Sequence, residues 1–109
     1  MKRSTTHILV SAGIGPHYQG YKYLLKAIQI IQSEPDALNQ MDTLVYSKIA
    51  RFYHISNANV SKNIRSVRDV FMRNHGAEIL YQLTGSRIWY HNVPYPRELI
   101  AILAQYTTM

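Results

Sequence analysis

The sequence predicts an all-α fold: one compact domain of about six helices. Apolar residues recur at helical spacing in several stretches, and glycine and proline residues stand between those stretches. With 109 residues, 47% of them hydrophobic, the chain is long and apolar enough to bury one core and is not disordered. Since no repeat, low-complexity tract or linker interrupts it, we expect residues 1–109 to form a single domain.

Two helices are expected in the first third of the chain. The first spans about residues 5–14 and is followed by a turn at residues 15–20. The second spans residues 20–33 and stops before Pro35, because the residue before a proline is pushed out of the α region. The expected core residues of this second helix are Leu24, Leu25, Ile28 and Ile31, with Tyr21 and Tyr23 along its flanks.

A helix, a tight turn and a longer helix are predicted between about residues 44 and 75. His54 suits the turn, because histidine tolerates positive φ better than most residues do. Ile55 can then fill the corner between the two helices. The candidate caps are Asp42 or Thr43 for the first helix and Ser56 or Asn57 for the second.

The longer helix of this unit, about residues 57–74, is expected to have two distinct faces. At about 100° per residue, a set of apolar residues falls within about 40° of Val60 and forms one buried seam. The members of that seam are Val60, Ile64, Val67 and Phe71. The opposite face presents Ser61, Lys62 and Arg65 near its N-terminal end, as reading of the DNA major groove requires.

Two further helices are expected after this unit. Gly76 suits a left-handed stop at the end of the long helix. A helix over residues 77–83 then closes at Gly85, and residues 86–95 form either a strand-like edge or a loop over the core. The last helix spans residues 97–106 and is preceded by a proline, which suits a helix start. Its expected inward residues are Leu99, Ile102 and Leu103.

Composition favours a polyanionic partner and disfavours enzyme chemistry. The net charge is +6, and six of the 12 basic but only one of the six acidic residues lie between Lys48 and Arg73. There is no cysteine, and no two of the five histidines stand three or four residues apart, so no disulfide or metal site is expected. Without a nucleophile elbow or a phosphate-binding loop, we expect neither an enzyme nor a cofactor. No apolar run is long enough to cross a bilayer, so no membrane partner is expected.

The run IARFYHISNANVSKNI resembles the helix-turn-helix of bacterial repressors. Nearly the whole chain resembles one family, the C-terminal DNA-binding domain of the sporulation stage-zero response regulator of endospore-forming bacteria. The residues that carry this likeness are Gly15-Pro16-His17, Gly20-Tyr21-Lys22-Tyr23-Leu24, Ile49-Ala50, Ile64-Arg65 and, more weakly, Pro96-Arg97-Glu98-Leu99. The resemblance implies a winged-helix-like effector domain of the response-regulator type. Such domains bind short promoter boxes through the major groove, often as tandem copies.

The resemblance also places the base-reading positions at Ser61, Lys62 and Arg65. Only Arg65 keeps the family's residue type, since the family has an acidic residue in place of Ser61 and an arginine in place of Lys62. Lysine offers a point charge where arginine offers a planar fork, so the family's target sequence is not transferred to this chain. The family joins this domain to a phosphorylated receiver domain, for which this chain has no room. We therefore expect either an excised fragment or a free-standing regulator.

These observations lead to the hypothesis of a cytoplasmic transcription regulator that binds double-stranded DNA sequence-specifically and is nucleoid-associated when bound. RNA polymerase or a second copy on adjacent DNA could be further partners. In this hypothesis Ser61, Lys62 and Arg65 read bases. The supporting and phosphate-binding residues are Asn57, Asn59, Lys48, Arg51, Arg68 and Arg73. The alternative is a protein-interaction adaptor that keeps the fold and binds a regulator or polymerase subunit without specific DNA binding.

Overall fold

Six α-helices make up most of residues 2–109, the part of the chain that the computed structural model describes. In chain order they are α1 (Thr5–Ser11), α2 (Gln19–Ser33), α3 (Ser47–Tyr53), α4 (Asn57–Arg73), α5 (Gly76–Thr84) and α6 (Pro96–Tyr106). The shorter helical elements are a 3₁₀ helix (Pro35–Gln40), a π-helix (Met41–Tyr46) that runs into α3, and a 3₁₀ turn (Ile88–Tyr90). The predicted all-α class is confirmed.

The two ends of the chain lie side by side. Strands β1 (Arg3–Ser4) and β2 (Thr107–Thr108) pair in parallel. Just inside this pair, the hydroxyl groups of Thr5 and Thr107 are buried and hydrogen-bond to each other. The sequence does not predict this pairing, because a strand of two residues leaves no periodic pattern.

Helix α2 lies at the centre of the core and packs against both α4 and α6. Its buried residues are Gly20, Tyr23, Leu24, Ala27, Ile28 and Ile31. At Gly20 the two helices α2 and α4 approach so closely that a Cβ atom would overlap the backbone carbonyl of Asn63 and lie 2.5 Å from Val67 Cγ2. The back of α4 is therefore held directly against the backbone of α2.

The core stripes differ from the prediction in a few positions. Tyr23, expected on a flank of α2, is 1% exposed, and its hydroxyl accepts a hydrogen bond from Gln19 Nε2 at 3.1 Å. That bond explains how a polar phenol can be buried there, since a buried hydroxyl needs a partner. Leu25 is only partly buried. In α6, Leu99 and Leu103 are buried as predicted, but Ile100 is buried and Ile102 only partly so.

The chain is already helical before the predicted start of α3. Neither Asp42 nor Thr43 caps a helix there, because both lie inside the π-helix. Instead the backbone carbonyl of Asp42 accepts from the backbone N–H of Ser47, five residues on, and from the Ser47 hydroxyl at 2.7 Å. The predicted cap is wrong because the chain is already helical at residues 41–46. The N–H of Ser47, the first residue of α3, therefore donates to a carbonyl of the π-helix and needs no side-chain cap.

The segment after α4 corrects one prediction and confirms another. Gly76 does not take the left-handed position; His75 does, with φ 68°. Gly76 is instead the first residue of α5, where a Cβ would lie 2.6 Å from the Phe71 carbonyl oxygen, so glycine is needed for close packing. Gly85 ends α5 at φ 78°, as predicted. Of the two alternatives for residues 86–95, the structure has the loop over the core, with Trp89 partly buried.

Candidate nucleic-acid interface

The turn between α3 and α4 follows the predicted pattern. His54 takes the left-handed conformation, with φ 57° and ψ 47°, and the N–H of Ile55 donates to the Ala50 carbonyl at 2.9 Å. Ser56 is the cap of α4, since its hydroxyl accepts from the Asn59 N–H at 3.1 Å. Ile55 packs against the core at the corner. Local side-chain and backbone bonds thus fix where α4 begins.

Helix α4 has the two faces that its sequence predicts. The buried seam of Val60, Ile64, Val67 and Phe71 is at most 1% exposed. On the opposite side, Lys62 and Arg65 are exposed, and Ser61 beside them is half-buried. Within residues 2–109, neither the Lys62 ammonium nor the Arg65 guanidinium forms an ion pair. We call these three residues, Ser61, Lys62 and Arg65, the reading face.

The two asparagines that were expected to support the reading face are both bonded within the protein. Asn57 Nδ2 donates to the Ser47 hydroxyl at 2.7 Å and to the Asp42 carbonyl at 3.2 Å, which ties the start of α4 to the start of α3. Asn59 accepts from Asn63 Nδ2 through both its Oδ1 and its backbone oxygen. Asn59 lies about 160° around the helix from Ser61, so the two residues flank Lys62 on different sides.

The four basic residues expected at phosphates fall into two groups. Arg51 and Arg73 are exposed, and Lys48, also exposed, forms an ion pair with Glu34 at 3.5 Å. Arg68 differs from them, because only 13% of its side chain is exposed. Its Nε atom lies 2.8 Å from Asp69 Oδ1, and one terminal nitrogen donates to the Pro94 carbonyl at 2.9 Å. Two of its three guanidinium nitrogens are therefore bonded within the protein.

A groove of about 530 Å³ runs along one side of the reading face. We call it the side groove. Among its lining residues are Asp42 and Tyr46 of the π-helix, Ser61 and Arg65 of α4, and Tyr95 and Arg97 at the start of α6. No local pattern in the sequence indicates that the start of α6 reaches the side of α4. The sequence therefore predicts no site role for Tyr95 or Arg97.

Tyr46 forms part of the wall of this groove. Burial raises the pKa of its phenol above the ordinary value of 10.0, the Asp42 carboxylate raises it further, and the Arg65 guanidinium acts in the opposite direction. The phenol is therefore neutral near pH 7. Tyr46 therefore does not neutralise the positive charge of Arg65.

Other kinds of site find no support in the part of the chain that the structure describes. No cluster of three or more histidine or acidic side chains is placed to hold a metal ion among residues 2–109. Over the same residues, none of the helices has the length and apolar character that crossing a membrane requires.

Comparison with known protein families agrees with the geometry. The family model described as sporulation initiation factor Spo0A C terminal matches residues 5–107. That family is the DNA-binding effector domain of a sporulation regulator and is a transcription-factor family, not a family of enzymes. Its match extends from the first residue of α1 to the first residue of β2. The chain therefore belongs to the family of sporulation initiation factor Spo0A C-terminal domains.

Proposed function

We propose that this chain is a sequence-specific, double-stranded DNA-binding regulator of transcription in which α4 enters the major groove. The observation that supports this most strongly is the contrast between the two sides of α4. Its back is clamped on α2 at Gly20, while Lys62 and Arg65 on its front are exposed. A helix held this way presents its donors at a fixed angle, which base recognition requires.

The chemistry of the reading face suits guanine. An arginine side chain can donate two parallel hydrogen bonds to guanine O6 and N7, and a lysine can donate to either acceptor. Ser61, being half-buried beside them, can donate to a base or accept from one. We therefore assign base reading to Arg65 and Lys62, with Ser61 in support.

Phosphate contacts are assigned to the exposed basic residues around the reading face. Arg51 near the end of α3 and Arg73 in the last turn of α4 are free to reach the DNA backbone. Lys48 can join them, because its ion pair with Glu34 is exposed at both ends and so is weak. In this proposal the helix-turn-helix domain acts in the cytoplasm on promoter boxes, as one copy or as tandem copies, with RNA polymerase as a further partner.

Two arginine variants separate base reading from phosphate binding. Target duplexes are first selected from a random library, and binding is then measured for each variant against the selected duplex and its single-base variants. Arg65→Ala should lose about 1–3 kcal/mol of discrimination at one base position. Arg51→Ala should weaken binding to all duplexes alike and reduce the salt slope by about one.

The adaptor alternative makes a different prediction for the same titrations. It has some support from the exposed apolar side chains before α6, of which Val93 is 60% and Tyr95 70% exposed. An adaptor would bind selected and random duplexes equally, and Arg65→Ala would then lower both affinities by the same factor. Equal losses would therefore reject base reading by Arg65.

A further inference from the structure

Base reading by Arg65 and Lys62 gives no role to the rest of the side groove, which lies where a DNA strand would pass. The major groove is about 12 Å wide, and a helix with its side chains is about 10–12 Å across. A recognition helix that fills the groove therefore has one sugar–phosphate backbone along each of its flanks. On the Arg65 flank of α4, the next surface is the side groove, and Tyr95 and Arg97 form its far wall.

We propose that the side groove holds the backbone of one DNA strand, with Arg97 and Tyr95 binding its phosphates and Arg68 positioning them. This inference rests on the proposed function, since it takes α4 to be in the major groove. It adds two DNA-binding residues from α6 and its leading turn, and it assigns Arg68 a role other than direct phosphate contact.

Arg97 and Tyr95 have the chemistry and the freedom for this role. Both are exposed, Tyr95 to 70%, and within residues 2–109 the guanidinium of Arg97 forms no ion pair. A guanidinium matches the geometry of a phosphate with two parallel bonds, and a phenol adds one neutral donor. The backbone N–H of Tyr95 is already bonded to Glu98 Oε1 at 2.8 Å, so this group is not available to DNA.

Arg68 connects this wall to the recognition helix. Its terminal nitrogen donates to the Pro94 carbonyl at 2.9 Å, directly before Tyr95, and its Nε is held by Asp69 at 2.8 Å. Prolines at 94 and 96 restrict the backbone on either side of Tyr95. The part-buried bond from Arg68 to Pro94 can therefore fix the distance between Tyr95 and the reading face.

Asp42 is the one acidic residue among those that line the side groove. Its carboxylate is exposed, and it would face the same phosphates as Arg97. The groove therefore attracts DNA only if the positive charges of Arg65 and Arg97 outweigh the negative charge of Asp42. Asp42→Asn should strengthen binding to every duplex by a similar factor, because it removes a repulsion that carries no base information.

Arg97→Gln is the direct test, and Arg87→Gln is its matched control. Both changes remove one positive charge, but Arg87 lies beside Tyr81 and not in the side groove. Binding to a selected and a shuffled duplex is measured by fluorescence anisotropy at 50 and 200 mM salt. Arg97→Gln should weaken both complexes equally, and its deficit should shrink about threefold over this salt range, as loss of one phosphate contact predicts. Arg87→Gln should neither weaken binding nor change its dependence on salt.

Arg68→Ala separates positioning from direct contact. If Arg68 acts by holding the Pro94 carbonyl, then Arg68→Ala combined with Arg97→Gln should weaken binding no more than the stronger single change. If Arg68 itself binds a phosphate, the losses multiply and the salt slope falls by about two. Circular dichroism melts confirm that each variant is folded, and Arg97→Gln alone keeps the test decisive should Arg68→Ala unfold the protein.

The outcomes separate this inference from the proposed function. If Arg65→Ala removes base discrimination while Arg97→Gln behaves like Arg87→Gln, base reading stands and the side-groove proposal is wrong. If the wild-type protein binds no duplex, both proposals are wrong. A loss with Arg97→Gln that is confined to the selected duplex also contradicts the proposal, because a phosphate contact carries no base information.

Discussion

Tyr46 shows how one side chain connects the core with the reading face. Its ring is 7% exposed, yet it faces both Asp42 and Arg65 at the side groove. Burial raises the pKa of its phenol, with Asp42 acting in the same direction and Arg65 against it. Because charging this group costs more in the folded than in the unfolded chain, ionisation of Tyr46 opposes folding.

This gives a prediction for alkaline stability. The stabilisation linked to Tyr46 is fully present below its unfolded pKa of 10.0 and is lost as the pH rises through the higher folded pKa. Tyr46→Phe keeps the ring and removes the titration. Urea unfolding between pH 7 and 11 should show the wild type losing more free energy of unfolding above pH 10 than Tyr46→Phe. Parallel curves for the two proteins would contradict the stated cause.

The contact between α2 and α4 sets the position of α4, the helix that carries the reading face. Gly20 allows the backbones of these two helices to touch, because any Cβ there would overlap the Asn63 carbonyl. Asn63 lies on α4 between the reading-face residues Lys62 and Arg65. A displacement at Gly20 would therefore change the angle at which the reading face is presented.

Gly20→Ala should destabilise the fold by about 1–3 kcal/mol, as overpacking of a tight contact does. Gly15→Ala is the control, because Gly15 is also buried but a Cβ there would meet only the His17 ring at an ordinary 3.5 Å. Urea unfolding of both variants measures the difference. Equal stability of the two variants would show that the close approach of α2 and α4 does not constrain the fold.

At the scale of elements, sequence periodicity predicts α4 best. Four apolar residues at helical spacing, a serine cap and a histidine turn all act over a few residues, so local chemistry determines them. The π-helix could not be predicted in the same way. Its Asp42 carbonyl accepts both from the N–H of Ser47 and from Asn57 Nδ2, a group 15 residues further along the chain.

The sequence predicts that the residues of the reading face lie together, but it does not predict the side groove. Ser61, Lys62 and Arg65 lie on one helix, so their spacing alone brings them together. The far wall of the groove is joined to α4 by the bond from Arg68 to Pro94, across 26 residues. Neither residue carries a signal for the other in the sequence, and Arg68 alone resembles any exposed basic residue. A phosphate contact was the simpler prediction for it, because its partial burial and its bond to Pro94 are not visible in the sequence.

The charge distribution is also a property of the whole molecule. The +6 net charge is concentrated in the sequence between Lys48 and Arg73, which folds into α3 and α4. If the chain binds DNA as proposed, this positive charge orients it on the duplex before any base contact forms. Binding should therefore weaken as salt rises for every duplex, while base discrimination should change less.

Methylation of guanine N7 by dimethyl sulfate tests directly whether α4 enters the major groove, because N7 lies on the floor of that groove. On a duplex selected from a random library, wild-type protein should protect at least one guanine, and Arg65→Ala should restore its reactivity while Arg87→Gln does not. Tight binding that leaves every guanine of the selected site as reactive as in free DNA would contradict entry of α4 into the major groove.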